Sequence, residues 1–310
     1  MTGPVDGVPI LGFGNGRHRS NAHRFSHSAM ATVFEVHCVH ADALYVRQAA
    51  QAAFELVDRL ERELSRFIAN SDISRINVLA RGQSMRVSPW TMECLEIAIH
   101  LHRLTAGTFD ISLGSRLERL ELVQDEYTVR AREAGASLDL GGIGKGYAVD
   151  RMAELMEEWD LPHTLVHGGF SSVRALEAPP GEEGWPLTLS APGPEVDRVL
   201  SRVSARRLAF SASGVRKGDH IVDPRSGRPA HCREAAWVAV AAGGNCHQEG
   251  LSPAAVADGL STAFMLLDLK EVGDLCRENP GLEAWLLSKP QEGQPAPTLV
   301  HFGEPGSGVS

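Results

Sequence analysis

The stretch Leu-Asp-Leu-Gly-Gly-Ile-Gly-Lys-Gly-Tyr-Ala-Val-Asp, residues 138–150, constrains this chain more than any other. Gly141, Gly142, Gly144 and Gly146 leave bare backbone over one short turn, and Lys145 sets a cation among them. Leu138 to Leu140 read as the end of a buried strand. A helix is predicted from Lys145, because Ala148, Met152, Leu155, Met156 and Trp159 recur on one face. Strand, glycine turn, helix N-terminus and lysine together suit an anionic ligand, since free N–H groups and the helix dipole favour negative charge. The spacing fits neither G-x-x-x-x-G-K-S/T, because Gly146 follows Lys145, nor G-x-G-x-x-G. The same turn serves equally as a tight strand-to-helix connection with no ligand.

Composition narrows the options. The 310 residues allow one large domain or two, with hydrophobic and charged content ordinary for a globular protein. A net charge of −9 excludes the basic surplus a nucleic-acid partner needs, so an anionic ligand must find a local positive site. The cysteines (Cys38, Cys94, Cys232, Cys246, Cys276) are scattered and odd in number, which suits free thiols in a reducing compartment. Residues 1–24 lack an apolar signal core, no cysteine precedes Cys38, and no run approaches the roughly 20 apolar residues of a membrane span. The expectation is a cytoplasmic protein without a membrane segment.

Along the chain, residues 1–27 read as a loose arm rich in glycine, with order starting at Met30. A strand is predicted at 32–39 and a helix at 41–66, where Ala49, Ala53, Leu56, Val57, Leu60 and Leu64 form one stripe. A short helix follows at 73–77. Ser88 and Pro89 mark the start of another helix, and Gly107 can cap its end. Strands are expected at 164–176, broken at Gly168-Gly169, and at 187–190, 207–211, 235–242, 283–287 and 298–302. A buried helix is expected at 255–267. Strands and helices mix without strict alternation, which favours an α+β fold with a mixed β-sheet core and packed helices. His231-Cys232 and Cys246-His247 lack zinc-ligand spacing and read as free residues beside a loop. Asp258 and Thr262, four apart on a helix, share a face. They suit a hard cation such as Mg²⁺, or a helix-start Asp with a packed Thr.

Five stretches, in order, resemble the ApbE family of FAD:protein FMN transferases. Ser65-Arg66-Phe67 with Asn70 to Asn77 resembles its LS-x-Y/F-x-x-x-S-x-IS-x-I/L-N. Gly107-Thr108-Phe109-Asp110 resembles its G-x-FD. His220 to Gly227 resembles its HI-I/V-DP-x-S/T-G, and Ala257 to Ala263 its ADALSTA. The stretch at 138–150 is the nearest match. The resemblance implies an ApbE-like domain over 28–303 with an FAD cleft, and a loose tail at 304–310. It implies that Mg²⁺ is held by Asp258, Thr262 and the Gly142 carbonyl. It further implies that FAD, as substrate, meets Met30, Phe67, Thr108, Phe109, Asp110, Asp139, Lys145 and Val222, the last through its main chain. Phe67 also suits a core aromatic, and Asp110 a solvated turn.

The implied reaction is attack by a Ser/Thr hydroxyl of an acceptor protein on the FMN-side phosphorus of FAD, with AMP leaving. His220 is the candidate base, Asp258 the catalytic metal ligand, and Lys145 an electrostatic aid. A structural histidine closing the loop onto Asp223 is the other reading of His220. FAD hydrolysis with water as acceptor, or FAD storage without catalysis, are the alternative functions. The chain departs from the family at Gly168-Gly169-Phe170-Ser171, where G-G-N is common, in a shorter segment before His220, and in a longer one at 243–254.

Overall fold

The computed structural model describes residues 11–13 by backbone, and residues 21–169, 171–192, 199–214, 221–225, 227, 230, 233–242, 252–289 and 297–303 with their side chains. The strands are β1 (Leu11–Phe13), β2 (Ala22–Ala29), β3 (Thr32–Val39), β4 (Ser84–Arg86), β5 (Leu120–Val123), β6 (Thr128–Ala131), β7 (Thr164–Gly168), β8 (Ser172–Ala175), β9 (Trp185–Ser190), β10 (Val199–Ala205), β11 (Leu208–Gly214), β12 (Arg233–Ala241), β13 (Leu282–Ser288) and β14 (Leu299–Phe302). The helices are α1 (Ala43–Leu64), α2 (Asp72–Ile76), α3 (Pro89–Leu104), α4 (Gly144–Glu158), α5 (Pro253–Ala263) and α6 (Leu269–Glu278).

An eight-stranded sheet in the order β14-β13-β12-β11-β8-β7-β3-β2 runs through the protein. Its central strands are apolar on both faces. On β12, Ala236, Val238 and Val240 enter a core shared with the helices, while Ala235, Trp237 and Ala239 enter a second core. That second core is closed by Leu187, Leu189, Val203 and Ala205 of the small sheet β1-β9-β10. Burial on both faces explains why this strand reads as a continuous apolar run rather than an alternating one. A third sheet, β4-β6-β5, is separate in its hydrogen bonding but packs Val129, Met85, Leu120 and Leu122 onto the helix-side core.

The α+β class expected from the sequence holds. Every ladder among the described residues is antiparallel, so the sheets are not mixed in direction.

The local signals act as read. Asp42 caps α1, its Oδ1 accepting from Leu44 N at 2.9 Å and Tyr45 N at 3.0 Å. All six residues of the predicted stripe are buried. Ser88 Oγ accepts from Thr91 N at 3.0 Å with Pro89 at the first helical position. Cys38, Cys94 and Cys276 are buried, reduced cysteines, and no described helix is long and apolar enough to cross a membrane.

Several expectations are corrected. Residues 22–27, placed in a loose arm, belong to β2, which pairs with β3 along its whole length. β2 is an edge strand with one largely exposed face, so it carries little apolar signal. Leu138 to Leu140 are not a strand. Their backbone is held by Asn77, whose Oδ1 accepts from Leu138 N at 2.7 Å and whose Nδ2 donates to Leu138 O at 3.0 Å, and by Ile111 O, which accepts from Asp139 N at 2.8 Å. Strand β10 and the third sheet lie where no strand was expected. A register shift in β10 and buried side chains confined to its C-terminal end blur its alternation. Helix α3 ends at Leu104, and Gly107 closes it as expected, its N–H donating to His102 O at 2.8 Å, with left-handed Ala106 before it. Helix α5 spans Pro253–Ala263 rather than 255–267. Helix α6 is marked by a capping box between Asp268 and Glu271 that the apolar pattern does not reveal.

Candidate active site

The glycine turn places α4 against α5. The reason is steric. A Cβ on Gly146 would be driven into the carbonyl of Ala254 and would lie 2.9 Å from Ala255 Cα. The close approach lets one helix serve the other. Asp150 of α4, buried, accepts through Oδ2 from Ala254 N at 2.8 Å and Ala255 N at 3.0 Å. It therefore caps α5, whose own Ser252 makes no capping bond. Burial pushes the Asp150 carboxyl up to about 7, against the opposing pull of Arg174 and the Ala255 N–H.

That packing brings Asp258 of α5 to the turn. Its carboxylate is buried, 3% exposed. Asp258 Oδ2 accepts from Gly146 N at 3.1 Å and stands 3.2 Å from Lys145 Nζ. Lys145 Nζ also donates to Gly141 O at 3.4 Å. Asp258 Oδ1 lies 3.2 Å from Ser211 Oγ, which donates to Ser171 O at 2.7 Å. Two residues further along β11, Ser213 Oγ is 3.3 Å from Thr262 Oγ1 and 2.8 Å from Ser261 Oγ. Thus Asp258 and Thr262 both meet the helix-facing side of β11, through Ser211 and Ser213.

On the rim of the turn, Asp139 Oδ1 accepts from Gly141 N at 2.8 Å and Oδ2 pairs with Arg66 Nε at 2.8 Å. The Arg66 guanidinium lies 4.5 Å over the Phe67 ring, which is 81% exposed. Phe67 is therefore a surface aromatic, not a core one. Phe109 is buried and packs against Gly142, so it supports the turn from within. His102 Nδ1 donates to Phe109 O at 3.0 Å, as a packed histidine. Thr108 is buried and its hydroxyl has no hydrogen-bond partner among the described residues. Asp110 Oδ1 accepts from Ser112 N at 2.7 Å. Met30 and Ala31 make the β2–β3 hairpin turn with φ of 48° and 55°, both left-handed. Such backbone suits glycine, where this chain has Ala31. Val222 is 46% exposed. His220, Phe170, His231-Cys232, Cys246-His247 and most of 243–254 lie outside the described residues.

The structure thus brings together Lys145, Asp258, Thr262, Asp139 and the glycine turn. It adds Ser211, Ser213, Arg66 and Asp150, which sequence reasoning passed over. The serines alternate on a strand, Ser211-Ala212-Ser213, but that signal acquires meaning only beside α5. The Gly141 carbonyl is the one in contact with Lys145 Nζ; Gly142 contributes its bare α-carbon, against which Phe109 packs. An ammonium held between a buried carboxylate and a main-chain carbonyl marks a place already built for a cation. The donors there are all oxygens, which suits a hard ion such as Mg²⁺.

These features define an α+β protein with a buried carboxylate paired to a lysine where a glycine turn meets a second helix. The chain belongs to the ApbE family, whose family model matches residues 30–124 and 115–286. Among curated relatives, an FAD:protein FMN transferase of Vibrio cholerae is 23% identical over 77% of this chain and 79% of its own length. One from Klebsiella pneumoniae is 24% identical over 85% of this chain and 83% of its own. The solved flavin transferase ApbE from Vibrio cholerae superposes with a TM-score of 0.75 at 19% identity, covering 91% of this chain and 97% of that one. The apo flavinyl transferase ApbE of Pseudomonas stutzeri gives 0.74 at 23% identity, covering 91% and 94%. At these identities the structural likeness speaks for the fold.

Proposed function

We propose that this protein transfers FMN from FAD to a Ser or Thr hydroxyl of an acceptor protein, releasing AMP. The observation that carries the reading is the buried Asp258 carboxylate facing Lys145 at the glycine turn, in a chain whose family match runs across the same elements. Asp258, Thr262 and a glycine-turn carbonyl, that of Gly141 or Gly142, would hold Mg²⁺. When bound, Mg²⁺ supplies neutralisation of the pyrophosphate and of charge growing on the AMP leaving group.

The chain's own residues do the rest. Gly146 N–H and Ser211 fix the Asp258 carboxylate, so its orientation is set before substrate arrives. Lys145 offers its cation to the pyrophosphate once Asp258 is otherwise compensated. Phe67, exposed beside Arg66, presents an aromatic face for the flavin ring. Asp110 and Asp139 serve the nucleotide end, with Thr108, Phe109, Met30 and the Val222 main chain shaping the cleft. The acceptor oxygen forms a bond to the FMN-side phosphorus, the bond from that phosphorus to the bridging oxygen breaks, and His220 takes the hydroxyl proton. We place this reaction in the cytoplasm on the scattered, odd-numbered cysteines, which suit a reducing compartment.

The test is incubation with FAD, Mg²⁺ and candidate flavoproteins. Transfer gives a covalent FMN mass increment on a Ser or Thr of the acceptor and one AMP per event. AMP without a modified acceptor would support FAD hydrolysis, and tight FAD binding with neither product would overturn catalysis. His220→Ala should bind FAD and not transfer it; transfer near the wild-type rate would remove His220 from the reaction.

A further inference from the structure

The eight-stranded sheet carries a second set of ligand atoms on the face opposite Asp258. On β3, Phe34, Val36 and Cys38 enter the helix-side core, so Glu35 and His37 project to the other side. His167 of β7 stands directly across from Glu35 in the ladder and shares that side with Leu165 of the second core. All three side chains converge on one point. Glu35 Oε2 is 3.0 Å from His37 Nε2 and 3.1 Å from His167 Nε2. Glu35 and His167 are buried, while His37 is a quarter exposed and gives access from solvent. The imidazole planes are inclined by 30°, with centroids 5.5 Å apart.

We infer that Glu35, His37 and His167 form a binding site for a divalent transition ion of the Zn²⁺ class. Two imidazole nitrogens and one carboxylate oxygen are borderline ligands, the set zinc takes and Mg²⁺ does not favour. Bonds of about 2.0–2.1 Å in a tetrahedron set ligand atoms roughly 3.3 Å apart, close to the two Glu–His separations, and all three ligand atoms lie within 4.8 Å of one another. The carboxylate is also anchored from behind. Arg24 of the neighbouring β2 donates through Nη2 to Glu35 Oε1 at 2.5 Å and through Nε to Oε2 at 2.7 Å. When an ion takes Oε2, the Oε1 contact can persist and hold the carboxylate in place, as outer partners of metal ligands do. Binding needs the lone pair on each Nε2, so each ring carries its proton on Nδ1 in the bound form.

The position gives the site a structural role. The ion would clip β3 to β7 one residue before Gly168-Gly169. The turn that follows leads to Ser171, whose carbonyl accepts from Ser211, the neighbour of Asp258. The site is independent of the proposed transfer reaction and lies across the sheet from it.

The experiment uses the full chain, stripped with chelator and titrated with Co²⁺ and Zn²⁺ in excess Mg²⁺. One equivalent of Co²⁺ should bind with the visible absorption of tetrahedral nitrogen–oxygen coordination and no thiolate charge-transfer band. Zn²⁺ should displace it and raise the melting midpoint. His37→Gln, at the accessible ligand, should weaken binding by more than about 100-fold, beyond the 10–100-fold of losing an outer partner, and should abolish the Zn²⁺-dependent rise in melting. Glu35→Gln reads the carboxylate in the same way, while Cys232→Ser and Cys246→Ser should change nothing. The melting midpoint of each variant in chelator checks that it folds. Failure to bind one equivalent, a thiolate band, or unchanged binding in folded His37→Gln would overturn the site and leave a proton-linked Glu–His cluster.

Discussion

Lys145 Nζ stands 3.2 Å from Asp258 Oδ2, and the pair joins two helices 113 residues apart in sequence. The lysine occupies ground that a metal ion would contest. Replacing it with Met leaves Asp258 uncompensated and available. Lys145→Met should lower the Mg²⁺ concentration needed for half-maximal activity while weakening FAD binding by about tenfold, the loss of one charge-assisted contact. Titrating Mg²⁺ at saturating FAD, and FAD at saturating Mg²⁺, separates the two effects. Asp258→Asn keeps the shape and should raise the Mg²⁺ requirement more than about 100-fold.

Gly146 is fixed by the carbonyl of Ala254 rather than by any ligand. Gly146→Ala must push α4 and α5 apart. The expected cost is about 3 kcal/mol of stability, read from the denaturant midpoint, with Mg²⁺ binding impaired in the folded fraction.

Asp150 sets a pH dependence. Its carboxyl, ordinarily near 3.8, is held at about 7 by burial, with Arg174, Arg151 and Glu154 as the other charges acting on it. Between these values the folded protein keeps a proton that the unfolded chain has lost. The stability from this group is therefore full below about pH 4 and declines as pH rises towards about 7. Asp150→Asn retains an oxygen for the α5 cap and removes the titration. Its stability should lose that downward slope; an unchanged slope in urea titrations across this range would discount the assignment.

Phe67 separates binding from folding. At 81% exposure it contributes little to the core. Phe67→Ala should leave stability within about 0.5 kcal/mol and still weaken FAD binding, as measured by flavin fluorescence.

Ala31 has φ 55° in the hairpin between β2 and β3. A left-handed alanine costs about 1–2 kcal/mol, part of which glycine returns as lost chain entropy. Ala31→Gly should stabilise the protein by about 0.5–1 kcal/mol, seen as a higher denaturation midpoint without loss of activity.

The sequence by itself determined the features written in neighbouring residues. The stripe of α1, the Ser88-Pro89 start of α3 and the glycine turn ahead of α4 depend on contacts within a few positions, so their periodicity and chemistry are visible in one dimension. Asp258, Thr262 and Lys145 stood out for the same reason, each inside a short stretch with a family likeness. Only the tertiary structure decided what these residues do to one another. Ser211 reaches Asp258 because β11 lies under α5, and Asp150 caps a helix more than 100 positions away. Residues 138–140 look like a strand yet give their hydrogen bonds to Asn77 and Ile111. Edge strand β2 was invisible because half of it faces water, and its place comes from backbone pairing with β3, which no side-chain pattern records. The glycine turn is the clearest case. Its composition announced a close approach, but the Ala254 backbone, brought there by folding, supplies the reason for Gly146.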